Sequence, residues 1–235
     1  MYQILKKTYI NIISVVFIMT LSSYLYANDI YVTQSGATLD LDITQDGQNN
    51  TVGNSTTASS SIGATTSLNI DQVGNSNVIT YAINGASYTG VINLAGNSNN
   101  VDLNCDSTGG NSSCGSANAV INFTGSSNDI DLDIGQTSSA SSADVDLVGQ
   151  SGSDSNTLAA TVDGNSAILT ITVNGDTNNW LIDIDGNGDV NGHTLIHSHT
   201  GGIADVDIVQ SGVNDQMINL TTSGDNHDID ISQTD

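Results

Sequence analysis

The sequence contains no proline, arginine or glutamate, and its only two lysines, Lys6 and Lys7, stand near the N-terminus. Opposing them are 25 acidic residues, all aspartate, for a net charge of −23. A surface of that sign repels phosphodiester backbones and anionic lipid, which excludes nucleic-acid binding and direct lipid docking. The cations that neutralise charge in phosphoryl transfer are missing beyond Lys7. So is the basic side chain with which a solenoid polysaccharide lyase takes its proton. No catalytic constellation stands out, and the chain reads as a non-enzyme. Aromatic residues make up only 4%, so any core must be built from aliphatic side chains.

Residues 1–27 read as a secretory signal peptide. Lys6-Lys7 form the charged region, the run from Ile10 through Met19 to Leu21 is apolar, and Ala27 follows small Ser22 and Ser23 as the last residue before cleavage. The alternative is an uncleaved membrane anchor, because Thr8 to Tyr26 is nearly long enough to span a bilayer. The first reading makes residues 28–235 an exported domain. In that setting Cys105 and Cys114, in a Ser/Gly/Asn-rich stretch, are expected to close one local disulfide. The competing view, half of a zinc site, has no nearby histidine to complete it.

Glycine spacing then organises the chain. Gly74, Gly85 and Gly96 are eleven residues apart, as are Gly164, Gly175 and Gly186. Aliphatics alternate with polar residues before many of these glycines, an Asn stands three residues after, and alternation resumes. The run Ile43-Thr-Gln45-Asp-Gly47-Gln-Asn-Asn50 repeats as Ile70-Asp-Gln72-Val-Gly74-Asn-Ser-Asn77. Gly96 with Asn99 and Gly125 with Asn128 keep the same frame. Period-two alternation predicts strands, and Gly with Asn predicts the reversals between them. Short strands with one apolar face are unstable alone, so the spacing predicts an all-β solenoid of stacked strand-turn-strand coils, about 22 residues each. Four stretches poor in large apolar residues, Gly53–Ser67, Asn104–Ala117, Gln136–Ala143 and Gly192–Ala204, read as loop inserts.

Aspartates such as Asp129, Asp131, Asp133, Asp205, Asp207, Asp228 and Asp230 alternate with the aliphatics and are expected on the outside. They form either a solvated acidic coat or ladders bridged by Ca²⁺, with no cofactor required for the fold. The run Asp183-Ile-Asp185-Gly-Asn187-Gly-Asp189 matches half of a calcium loop, and equally a solenoid corner at Gly186. His193, His197 and His199 fall within the last insert and read as an exposed cluster, able at most to bind a transition metal. Trp180 and Phe123 have core parity.

The motif Gln-x-Gly-x-x-Asn after alternating aliphatics resembles the curlin repeat of curli fibre subunits. Gln45-Asp-Gly47-Gln-Asn-Asn50 and Gln72-Val-Gly74-Asn-Ser-Asn77 match it in full, and Gln34-Ser-Gly36 and Gln210-Ser-Gly212 in part. The resemblance implies a secreted functional amyloid, passed through an outer-membrane secretion channel and polymerised outside the cell with a nucleating subunit. The expected role is a structural subunit of an extracellular, head-to-tail fibre in biofilm matrix or surface adhesion. The alternative is a non-polymerising surface solenoid that binds Ca²⁺ or carbohydrate.

Overall fold

The computed structural model describes residues 29–47, 49–53, 59–74, 76–96, 98–105, 115–135, 142–150, 155–163, 166–186, 193–212 and 216–234. The proposed signal segment lies outside them. Strands account for nearly all of these residues, and no helix occurs among them. Consequently no helix among them is long and apolar enough to cross a membrane, which says nothing about β-barrels.

The strands stack in parallel on two faces. The first face carries β2 (Thr33–Asp46), β4 (Ser59–Val73), the second half of β5 (Ser76–Ala95), β7 (Ala117–Thr124) and β9 (Ala143–Gly149). It continues through β11 (Ala167–Asn174), β13 (Thr194–Thr200) and β15 (Met217–Ser223). The second face runs from β1 (Asp29–Ile30) and β3 (Asn49–Val52) through the first half of β5 to β6 (Ser98–Cys105) and β8 (Ser127–Ile134). It ends with β10 (Asn156–Asp163), β12 (Asn178–Gly186), β14 (Ala204–Gly212) and β16 (His227–Thr234). β5 turns a corner: its buried residues are odd-numbered through Ile83 and even-numbered from Tyr88. The chain is a β-solenoid, as the glycine spacing predicts.

The coil length varies around the expected value. Ser76 pairs with Ser98 and Asn156 with Asn178, each 22 residues on. Ser98 pairs with Ser127 at 29, and Asn178 with Ala204 at 26. Extra residues at a corner lengthen the path without shifting strand parity, so the inward set is preserved. Leu103, Leu132, Ala160, Ile182 and Ile208 therefore stack in one buried column. Each such aliphatic side chain taken from water contributes roughly 1.5–3 kcal/mol.

Two of the expected inserts are corrected. Ser59–Ser67 belongs to β4, and Thr194–Thr200 is β13, paired on both sides. Ser, Thr and His were counted as loop formers, yet in a stacked coil the neighbouring rungs satisfy the backbone whatever the side chain. Asn104 and Ala117 are terminal strand residues, and Ala143 begins β9. Cys105 ends β6, Gly115, Ser116 and Ser142 lie between strands, and 106–114 and 136–141 lie outside the described residues. Cys105 is disulfide-bonded and buried. Cys114, the only other cysteine, lies outside the described residues.

Candidate functional site

The glycine corner after the first face is a tight stack. An added Cβ on Gly74 would lie 1.8 Å from the Gly47 carbonyl oxygen, and one on Gly125 would lie 1.6 Å from that of Gly96. Backbone N–H groups close the same corner: Gly47 donates to the Val73 carbonyl at 2.9 Å and Gly96 to that of Thr124 at 3.0 Å. Only a residue without a side chain lets successive corners approach this closely.

Three residues on, the asparagines point inward. Asn50, Asn77, Asn99 and Asn128 are all buried, and Asn156 and Asn178 continue their column. Asn77 Nδ2 donates to Asn99 Oδ1 at 2.7 Å, and Asn128 Nδ2 to Asn156 Oδ1 at 2.6 Å. Asn99 donates likewise to Asn128, and Asn156 to Asn178. The same amides bind the corner, with Asn128 donating to the Gly125 carbonyl at 3.1 Å and Asn178 to that of Gly175 at 3.0 Å. An unpaired buried amide is costly, but a partner one rung away removes that cost at every level. Asn156 and Asn178 were missed from sequence, although Gly175-Asp-Thr-Asn178 carries the same spacing.

The glutamines of the motif divide between two corners. Gln72 Nε2 donates to Gln45 Oε1 at 2.6 Å, both buried at the end of the first face. Gln210 is buried on the second face, where Gln233 donates to it at 2.9 Å. Gly212 accordingly stacks on Gly186, not on the Gly47 series. Gln34 is half-buried and reaches only the Thr38 carbonyl at 3.4 Å, while Gly36 pairs with Gly63. The two partial matches thus sit at the corner opposite the two full ones.

No family model, curated protein or solved structure matches the chain. The curlin likeness therefore stands on the quoted motif, and the fold on the stacked strands.

On the outer surface the aspartates are interleaved with amides. Asn69 donates to Asp42 at 2.8 Å, and Asn93 donates to Asp71 while accepting from Asn122 at 2.8 Å. Asn100 and Asn104 donate to Asp129 and Asp133, each at 3.3 Å. Interleaving spreads the like charges that the sequence reading placed on adjacent rungs. The exceptions among the described residues are Asp102 over Asp131, Asp163 over Asp185, Asp205 over Asp228 and Asp207 over Asp230. Partial burial, followed by repulsion from Asp133, Asp102 and Asp129, raises the Asp131 pKa above the ordinary carboxylate value. A raised carboxylate pKa means that the folded chain binds this proton more tightly than the unfolded one, so stability rises as pH falls toward it. Asp131→Asn is expected to raise stability at pH 7 by roughly 0.5 kcal/mol, with the solvated position limiting the gain. Urea unfolding at pH 7 and pH 4 checks this, because the advantage should shrink at the lower pH.

Asp183 and Asp185 are strand residues of β12, opposite Val209 and Ser211, while Asn187 and Asp189 lie outside the described residues. Among the described residues no group of three or more His, Cys or Asp side chains is arranged to hold a metal ion.

The histidines require a correction. His193, His197 and His199 are buried, not exposed, and His197 and His199 occupy inward positions of β13. The His197 ring lies 4.2 Å from the Trp180 ring, centroid to centroid, at an interplanar angle of 31°. Their i, i+2 spacing was the available signal; the sequence reading treated imidazole as a loop side chain.

Among the described residues, no further strand covers either end of the solenoid. β15 pairs only with β13 and β16 only with β14, while β2 pairs only with β4 and β1 only with β3. Inward residues lose their cover there. Ile231 is 48% exposed, against 1% for Ile208 one rung inside. Ile218, Leu220, Ile229, Leu39 and Leu41 are half-buried where their counterparts within the stack are fully buried.

Proposed function

We propose that this chain is a non-catalytic structural protein, the self-assembling subunit of a secreted, curli-like fibre. The observation that carries this reading is the pair of open ends among the described residues. Each presents unpaired strand edges above half-covered aliphatics, and a parallel stack repeats in one direction, so the C-terminal rung of one copy fits the N-terminal rung of the next.

The chemistry of the two rungs supports this. Continuing the register would set Ile218 over Leu41, Leu220 over Ile43 and Gly224 over Gly47. It would also set Asn219 over Asp42, repeating the amide–carboxylate pairing that Asn69 makes with Asp42. The absence of lysine and arginine beyond Lys7 leaves no basic edge residue to oppose such pairing. A heterologous contact of this kind does not close, and its product is a filament. Export through an outer-membrane channel, a nucleating subunit and a place in biofilm matrix or surface adhesion belong to the same reading, by resemblance to curlins.

Electron microscopy of purified residues 28–235, with amyloid-dye fluorescence and with or without calcium, tests it. Unbranched dye-binding fibres that seed fresh monomer are expected in both conditions. A persistent monomer that binds calcium or carbohydrate would replace the fibre reading with that of a surface-binding solenoid.

A further inference from the structure

We propose that His197 and His199, packed on Trp180 inside the C-terminal coils, form an acid-sensitive latch that holds β13–β16 closed while both rings are neutral. The latch rests on the core and is independent of whether the chain assembles.

The geometry is that of a polar cluster in an otherwise aliphatic stack. His197 packs against the indole at a tilt of 31°, and neither of its ring nitrogens has a hydrogen-bond partner among the described residues. His199 meets Trp180 edge-on at 5.4 Å and His227, on the last strand, at 5.2 Å. His199 also terminates the asparagine ladder. Every ladder amide from Asn77 onward donates toward the C-terminal end, so Asn178 must find an acceptor there. The next residue in its column is Ala204, whose side chain offers none. Asn178 Nδ2 instead lies 3.3 Å from Nδ1 and 3.4 Å from Nε2 of His199. A neutral imidazole has one acceptor nitrogen and an imidazolium has none. Protonation therefore removes the acceptor at the end of the ladder and places a cation beside a second buried imidazole.

Among the groups acting on His197 none compensates that charge, and around His199 only a hydrogen bond with the Gly202 backbone and the Asp176 carboxylate do. β11 and β15 flank His197 with Ile171 and Leu220, and His199 with Val173 and Thr222. Across the core stand Trp180 of β12, Val206 of β14 and His227 of β16. Asp205, Asp207, Asp228 and Asp230 of these strands lie on the exposed side, and Asp183 is only half-buried on the outward parity of β12. Asp176, at the corner before β12, is the one carboxylate acting on His199, and it accepts the Gly202 N–H at 2.6 Å. Burial, and then the neighbouring His199, push the His197 pKa down to about 3; burial, and then His227, lower that of His199.

The direction in pH follows. An unfolded histidine takes a proton near 6.5, whereas the folded rings refuse it, so stability is full above that value and falls as pH drops below it. Each refused proton lowers the closed-to-open ratio about tenfold per pH unit. In an unfolded chain an aspartate takes its proton near 4 and a histidine near 6.5, so the interval from about 6.5 to 5 reads the histidines.

Hydrogen exchange by mass spectrometry on the full chain between pH 7 and pH 5, corrected for intrinsic rates, reads the opening. Peptides from β13–β16 should open at least tenfold more per pH unit than those from β6–β8. Fluorescence of Trp180, the only tryptophan, should change over the same interval. In the double variant His197→Phe, His199→Gln the difference in slope should vanish. Imidazole NMR of the unaltered chain supplies a second readout, with His197 expected to stay neutral at about pH 5.5 and His199 to take its proton below the ordinary histidine value. Either ring protonating near pH 6.5 in the folded chain, or a slope that persists in the double variant, overturns the proposal.

Discussion

Leu220→Lys is expected to stop fibre growth while leaving the monomer folded. Leu220 faces inward on β15, the last strand of the first face, and is only half-covered in the monomer, so an ammonium there keeps its water. Stacking the next copy would bury that charge against aliphatic side chains with no carboxylate in its column. The cost of an unpaired buried charge is several kcal/mol, and about 3 kcal/mol already slows or weakens addition more than 100-fold. The N-terminal rung of the variant is intact, so it should add once to a growing unaltered fibre and then terminate it. Seeded dye kinetics at substoichiometric variant would show this as early arrest. Thr221→Lys places the same charge on the exposed, outward side of the same edge strand, where it stays in water and should slow elongation far less. Equal elongation by the two variants would remove end-on stacking as the mode of assembly.

The second large effect is expected inside the coil. Asn99 accepts from Asn77 and donates to Asn128 and to the Thr124 carbonyl at 3.1 Å, all in the buried ladder. Asn99→Leu keeps the volume but strands a donor below and an acceptor above it. At roughly 1–3 kcal/mol for each orphaned group, a loss of about 3–5 kcal/mol follows. Asn122→Leu removes an amide from the outer Asp71–Asn93–Asn122 ladder, where water replaces the lost partner, and should cost less than about 1 kcal/mol. Chemical unfolding of the two variants side by side measures the contrast. Similar losses would mean that the inner ladder contributes no more than the outer one.

Much of this architecture was legible in the chain itself, because the signal is local. Alternation of Ile130, Leu132 and Ile134 with Asp129, Asp131 and Asp133 assigns one face inward and the other to water, and the structure keeps that assignment. The glycine-to-asparagine spacing located the corner, and the asparagines it marked, Asn50, Asn77, Asn99 and Asn128, are the ones the structure buries in the ladder. The same rule failed where a polar residue lies inward for want of a better position. His197 and His199 have the correct parity for the core, but their polarity argued against it, and Thr66 in β4 misled in the same way. The Gln-x-Gly motif was read as one series, although Gln210 faces the core at the opposite corner from Gln45 and Gln72.

The sequence alone determined most of the strands, their aliphatic inward sets and the sharp reversals, since steric preference and a period of two operate within a few neighbouring residues. The stacked structure alone decided which polar groups are tolerated inside and which ends lack cover. An amide or imidazole in the core is judged by the residue one coil away, 22 to 29 positions along the chain, and only the register of the coils names that residue. The exposed inner side of Ile231 arises in the same way: its alternation matches that of Ile208, but no further strand among the described residues lies above it.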